Sequence, residues 1–271
     1  TYIAQKYPSI KFAFETAILD YWNGGKRQIF NNSFFSEKHG IVINGLIWMG
    51  DKAFMKKQID EKLAQGFSCI KMKIGAIDFE TECDLLAYIR SHFPKEQLTL
   101  RVDANGAFSP EEAMQKLNRL AAFDLHSIEQ PIKQGQLKHM NQLCENTPLP
   151  IALDEELIGV FGKENKYALL NEIQPQYIIL KPTLLGGFYE TKEWIQLAEQ
   201  LNIPWWITSA LEANIGLNAV TQFTNEYKDL MPQGLGTGQL YQNNISSPLV
   251  IEGEQIFYKP TVEAWDLDII K

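Results

Sequence analysis

The chain has 271 residues and a mass of 31.0 kDa, is 45% hydrophobic and 21% charged, and is long enough to bury a large soluble core. Its formal net charge of -8 argues against a nucleic-acid partner, because phosphate binding calls for basic surface. Cys69, Cys83 and Cys144 lack CxxC or Cys/His ligand spacing, no apolar run approaches the roughly 18 residues of a membrane span, and the start has no signal-peptide pattern; these features predict a reduced, cytoplasmic protein with no zinc site and no membrane partner.

In chain order, KFAFETAILDYWN near the start reads as a helix. Strand-like runs follow at 41–48, 67–74, 98–103, 125–130, 150–154, 177–182, 204–209 and 234–238, alternating with amphipathic helical stretches. Between the first two strands Asp51 is placed to cap a helix whose stripe is Phe54, Met55, Ile59 and Leu63, with Gly66 closing it. After the third strand, Ser109-Pro110-Glu111-Glu112 supplies a cap residue, a proline at the first helical position and a glutamate at the third, the pattern of a capping box. Further helical stripes run through 79–92, 187–201 and 213–225, with shorter ones at 136–145 and 163–172; PLVIEGEQIFY near the end reads as one short strand. Eight strands alternating with helices within about 200 residues is the size of a (β/α)8 barrel. We divide the chain into residues 1–40, a barrel over 41–240, and 241–271, the two ends forming a second layer packed on the barrel.

Three carboxylates end apolar runs at near-even intervals: Asp103 in LTLRVDAN, Glu129 in LHSIEQPI and Asp154 in LPIALDEEL, with Lys181 in QYIILKPT next. Each interval suits one strand, one crossover helix and two short loops, so the four residues are expected at equivalent places on successive parallel strands. One unit upstream, Lys71 and Lys73 are two apart in SCIKMKIG and share a strand face. Strand parity gives an independent check. Ile70, Met72, Ile74, Leu100, Val102, Ile151, Leu153, Ile178 and Leu180 would face the helices, and all are apolar. The opposite parity collects Lys71, Lys73, Arg101, Asp103, Ser127, Glu129, Asp154 and Lys181 inward, toward the strand ends where barrel active sites lie.

Taken singly, each residue has a plainer reading. Paired lysines are commonly solvated, Asp103 in VDANG suits a turn, Glu129 before Gln130-Pro131 suits a satisfied strand end, and Asp154 beside Glu155 and Glu156 suits a solvated face. Lys181 before Pro182 suits a surface position or a Schiff-base nucleophile. Their joint spacing favours a shared site. Three inward carboxylates without Cys or His make an all-oxygen metal site that suits Mg²⁺ or Mn²⁺ over zinc. Such an ion would offset the charge that develops when a proton α to a carboxylate leaves, and a lysine becomes a useful base if burial, a second ammonium and a metal bring its pKa toward about 7 or 8. Trp205 and Trp206 read as barrel wall and core, and His39, His92, His126 and His139 share no spacing that gives them a role.

Lys71-Met72-Lys73, Asp103, Glu129, Asp154 and Lys181 resemble, in order and spacing, the KxK, Asp, Glu, Asp and Lys set of the muconate-cycloisomerase-like branch of the enolase superfamily, over nearly the whole chain. Within that branch NGLIWMGD, IKMKIGAIDFE, RVDANGAFSPEEA, SIEQPI, LPIALDEEL and WWITSALEANIGLNA are similar to the o-succinylbenzoate synthase family of the Bacteroidetes type. The resemblance implies a (β/α)7β TIM-like barrel with a partial capping domain from the chain ends. It implies a Mg²⁺-dependent hydro-lyase of menaquinone biosynthesis that dehydrates 2-succinyl-6-hydroxy-2,4-cyclohexadiene-1-carboxylate, a small-molecule carboxylate, through a metal-stabilised enediolate. Asp103, Glu129 and Asp154 would be the metal ligands; Lys73 would take the proton and return it to the leaving hydroxide, Lys71 would assist electrostatically, and Lys181 would stabilise the intermediate by charge. The GLGTG stretch at 234–238 would bind the succinyl end. One departure is that residues 1–40 are too few for the family's N-terminal α+β cap portion, whose loops help choose the substrate.

Three other readings use the same residues. N-acylamino acid racemases and dipeptide epimerases need bases on both substrate faces, which Lys73 and Lys181 can supply, but the Asp-x-Asp that receives a dipeptide ammonium is replaced here by Gly234-Leu235-Gly236-Thr237-Gly238. A Schiff-base aldolase would use Lys181. A catalytically inactive barrel acting as a scaffold is disfavoured because no member of the lysine and carboxylate set is missing. Nothing in the sequence sets the oligomeric state.

Overall fold

Seven parallel strands form the central sheet: β2 (Gly45–Ile47), β3 (Cys69–Lys73), β4 (Thr99–Asp103), β5 (Ser127–Glu129), β6 (Ile151–Leu153), β7 (Tyr177–Leu180) and β8 (Trp205–Ile207), hydrogen-bonded in that order. They belong to a computed structural model that describes residues 6–36, 39–237 and 240–268. The expected single strand over 41–48 is two. Its first part, β1 (Ile41–Val42), joins an antiparallel sheet with β10 (Gln255–Tyr258) and β9 (Leu249–Glu252), in the order β1-β10-β9. The chain changes sheets between Ile43, whose N–H goes to Glu254 O at 2.8 Å, and Asn44, whose N–H goes to Gln233 O at 2.9 Å. The terminal segment read as one strand is a hairpin, because Gly253 adopts φ 58° and reverses the chain between β9 and β10.

The eighth strand, expected at 234–238, is reduced to two residues. Parallel bridges Ile43↔Gln233 and Thr208↔Gly234 span the gap between β8 and the start of the barrel, and the Gln233 side chain adds an acceptor for Ile207 N at 2.7 Å. Glycine is required there: a Cβ on Gly234 would stand 1.9 Å from Thr208 Oγ1. Gly238 lies outside the described residues.

Helices alternate with the strands. After α1 (Pro8–Trp22) come α2 (Lys52–Ala64), α3 (Phe79–His92), α4 (Pro110–Ala121), α5 (Leu137–Asn146), α6 (Lys163–Ile173), α7 (Phe188–Gln200) and α8 (Asn214–Thr224), with a one-turn helix Pro182–Leu185 after β7. The sequence signals act as expected. Asp51 Oδ1 accepts Phe54 N at 2.8 Å, and Ser109 and Glu112 form a reciprocal capping box. The outward strand positions Ile70, Met72, Leu100, Val102, Ile151, Leu153, Ile178 and Leu180 are fully buried against these helices, each such side chain contributing about 1.5–3 kcal/mol. Trp206 points inward, with the Arg101 guanidinium 4.1 Å from its ring centre, whereas Trp205 faces outward against Tyr227.

The N-terminal segment is tied to the barrel as well as to itself, where Asn23 Nδ2 donates to Ile29 O at 3.2 Å. Phe12 packs edge-on against Phe188 with ring centres 5.2 Å apart, and Glu15 accepts Phe188 N at 2.6 Å, placing an acid at the positive end of α7. Phe35 stacks on Tyr258 of β10, so the first segment and the C-terminal hairpin meet. Among the described residues no helix is long and apolar enough to cross a membrane.

Candidate active site

Parallel register brings the candidate residues side by side. Lys73 pairs with Asp103 across β3 and β4, and Asp103 with Glu129 across β4 and β5; Asp154 follows β6, and Lys181 follows β7. All six therefore meet at the C-terminal mouth of the barrel. Lys71 Nζ donates to Asp103 Oδ2 at 2.9 Å and Glu129 Oε2 at 2.7 Å, and Lys73 Nζ donates to Asp103 Oδ2 at 2.6 Å. Lys181 Nζ donates to Asp154 Oδ2 and lies 4.0 Å from Glu129 Oε1. Ammoniums and carboxylates thus form one continuous chain from β3 to β7. Its three acids are at most 1% exposed.

Three lysines neutralise three acids, which lets the cluster be buried. Among the described residues no three acidic, histidine or cysteine side chains already stand as a ligand cage; the ammoniums lie between the carboxylates. This arrangement also sets the sign of the lysine pKa values. Burial lowers Lys71, but Asp103 and Glu129 outweigh burial and hold the amine above its usual value; Lys181 is likewise lowered by burial and raised further by Asp154 and Glu129. At Lys71 the two acids outweigh burial, so the lowering expected from burial beside a second ammonium is not seen there. The residues nevertheless fit a hard divalent cation: all donors are carboxylate oxygens at the C-terminal ends of successive strands, and Glu129 Oε1 is buried with no hydrogen-bond partner.

Above the cluster is a cavity of about 280 Å³. Lys71, Lys73, Asn105 and Lys181 line it together with Thr208, Ser209, Gly234, Gly236 and Thr237, so the described part of the GLGTG stretch borders the same space. The lining from Thr208 to Thr237 is rich in hydroxyl and backbone groups; Thr237 Oγ1 donates to Ser209 Oγ at 2.6 Å, and Ser209 Oγ donates to the Glu212 carboxylate. Leu46, Trp48, Leu184 and Leu211 form apolar wall. The cavity therefore combines ammonium, hydroxyl and apolar lining, which suits a carboxylate with an apolar body and further polar groups. None of the four histidines borders it. His126 instead packs on Tyr177 with ring centres 4.8 Å apart, and burial, with Arg101 second, lowers its pKa to about 4.

Two cavity residues escaped the sequence reading. Asn105 adopts φ 45°, accepts Lys73 Nζ at 2.7 Å through Oδ1 and donates from Nδ2 to Glu155 Oε1 at 2.9 Å. Its signal was present, because Asp-Ala-Asn-Gly after a strand is turn sequence and Asn tolerates left-handed backbone, but a turn reading gives it no ligand role. Asn44 is 4% exposed, borders the cavity, and has a buried Oδ1 without a partner. The alternation Asn44, Leu46, Trp48 carried that signal.

With this geometry in place, comparison with known proteins gives consistent results. The family model described as Enolase C-terminal domain-like matches residues 55–257. The o-succinylbenzoate synthase of Desulfotalea psychrophila is 57% identical over 248 residues, which are 92% of this chain and 67% of that protein. The N-succinylamino acid racemase of Thermus thermophilus is 35% identical over 58% of this chain and 40% of that protein. The crystal structure of MenC from Desulfotalea psychrophila has a TM-score of 0.87 at 55% identity, covering 92% of this chain and 69% of that one. The chain thus spans about two thirds of its Desulfotalea relative and less than half of its Thermus relative. Enzymes of this superfamily use a divalent metal. The chain belongs to the enolase superfamily and, within it, to the o-succinylbenzoate synthase family.

Proposed function

We propose that this chain is a cytoplasmic, Mg²⁺-dependent hydro-lyase that converts 2-succinyl-6-hydroxy-2,4-cyclohexadiene-1-carboxylate to o-succinylbenzoate and water in menaquinone biosynthesis. The observation that carries the reading is the single buried chain of Lys71, Lys73, Lys181, Asp103, Glu129 and Asp154 beneath one cavity, in a chain 57% identical to an o-succinylbenzoate synthase. Asp103, Glu129 and Asp154 hold the cation, which when bound offsets the negative charge that develops as the α-proton leaves. Lys73 is the base. Its Nζ reaches both Asp103 and Asn105, two fixed acceptors that aim the amine at the cavity. The C–H bond next to the ring carboxylate breaks to Lys73, the C–O bond of the 6-hydroxyl then breaks, and Lys73 returns its proton so that water departs and the ring becomes aromatic. Lys71 supplies charge from the same face, and Lys181 supplies charge from across the ring. The hydroxyl-bearing lining at Ser209 and Thr237 takes the succinyl tail. Residues 1–40 and 241–271 serve as the partial cap on the 41–240 barrel.

The test is ultraviolet detection of o-succinylbenzoate formed by the purified chain with Mg²⁺ and with excess EDTA. Product formation that EDTA abolishes is expected; no product at any Mg²⁺ or Mn²⁺ concentration would refute the reading. A side racemisation of N-acylamino acids is favoured by one observation, that Lys73 and Lys181 border the same cavity from β3 and β7. A cationic dipeptide is disfavoured, because Gly234, Gly236 and Thr237 offer its ammonium no carboxylate.

A further inference from the structure

Gln130 immediately follows Glu129, is fully buried, and adopts φ 39°, a backbone conformation that side-chained residues seldom hold without compensation from their surroundings. The compensation is a complete set of side-chain hydrogen bonds. Oε1 accepts Asp154 N at 3.2 Å and Glu156 N at 3.3 Å, while Nε2 donates to Ile132 O at 3.0 Å and Glu156 Oε2 at 3.1 Å. Its backbone extends the connection on both sides: Gln130 N donates to Ala152 O at 2.9 Å, and Gln130 O accepts Gly106 N at 2.7 Å. Glu156 in turn accepts Gly135 N at 2.8 Å, fixing the far side of the same knot. One residue therefore ties together the three strand ends that carry Asp103, Glu129 and Asp154.

We infer that Gln130 is a positioning residue that sets the relative placement of the Glu129 and Asp154 carboxylates, and through them the affinity of the site for a divalent cation; this rests on the reading of those acids as metal ligands. Partners that orient metal ligands without touching the metal typically change affinity by about 10–100-fold. Gln130 occupies that place.

The experiment measures Mn²⁺ binding to the purified full chain, without substrate, by electron paramagnetic resonance of free Mn²⁺, alongside thermal unfolding. Gln130→Met keeps volume and removes all four side-chain bonds; Gln130→Asn keeps the amide one methylene short and serves if the first variant does not fold. Gln222→Met is the structural control, because Gln222 is equally buried on α8 and accepts Ile29 N at 2.7 Å far from the cluster. Asp154→Asn checks the metal reading itself. The expected result is weakening of about 10-fold or more in Gln130→Met and a smaller weakening in Gln130→Asn, while Gln222→Met lowers thermal stability with unchanged affinity. Unchanged Mn²⁺ affinity in both Gln130 variants, with Asp154→Asn impaired, would overturn the positioning role alone. Wild-type affinity in Asp154→Asn would overturn the metal reading and the inference with it.

Discussion

Replacing Lys71 with methionine removes one ammonium while retaining most of the side chain's volume. Lys71 is 5% exposed, and its two partners Asp103 and Glu129 are at most 1% exposed, so the substitution strands carboxylate charge inside the barrel. Removing one member of a buried pair costs about 3–5 kcal/mol. Here Lys73 still donates to Asp103, and Lys181 remains 4.0 Å from Glu129, so the lower end, about 3 kcal/mol, is expected. Because the folded pKa of Lys71 is raised above 10.5, this contribution is fully present at neutral pH and is lost only as pH climbs beyond that value. Urea unfolding near neutral pH in EDTA is the assay; with an m-value of about 3 kcal/mol/M the midpoint should fall by about 1 M. Adding Mg²⁺ at about 100 times its Kd should return about 2.7 kcal/mol, since a cation replaces the missing positive charge. A Lys71→Met midpoint equal to that of the parent chain in EDTA would refute the argument that the ammonium balances the two acids.

Three further outcomes are expected. Lys73→Ala should lower dehydration by roughly a hundred- to ten-thousand-fold and also abolish exchange of the substrate α-proton in D₂O; retained exchange would transfer the base role elsewhere. Lys181→Arg should keep more dehydration activity than Lys181→Ala, because arginine preserves charge, whereas N-acylamino acid racemisation should vanish in both, and equal dehydration losses with an ordered arginine would exclude a charge-only role. His126, lowered to about 4 by burial and then by Arg101, favours the neutral ring in the folded state, so stability complete above pH 6.5 should fall by the order of 3 kcal/mol as pH drops toward 4; His126→Phe should flatten that slope in urea titrations.

The spacing of Asp103, Glu129, Asp154 and Lys181 was legible because one βα unit of a parallel sheet fixes both the interval and the inward parity. The Lys73↔Asp103 and Asp103↔Glu129 registers are that rule made physical. The local signals at Asp51 and Ser109 were legible for a similar reason, since a cap depends on residues three apart. What escaped depends on single dihedrals or on long-range distances. Asn105 and Gln130 act through positive φ, which a sequence of Asn or Gln permits without announcing. The closing strand is only Gln233 and Gly234, and Ile207 N is satisfied by a glutamine side chain 26 residues away, a partner that no local pattern announces. The upward shift of Lys71 follows from two acids within 2.9 Å, a balance that no spacing encodes.

A crystal structure of the chain grown with Mg²⁺ and o-succinylbenzoate tests the proposed metal site and substrate together. One octahedral ion with oxygens of Asp103, Glu129 and Asp154 at about 2.0–2.1 Å is expected, with the product ring between Lys73 and Lys181. An ion bound elsewhere, with Lys71 and Lys181 still paired to those carboxylates while product fills the cavity, would contradict it.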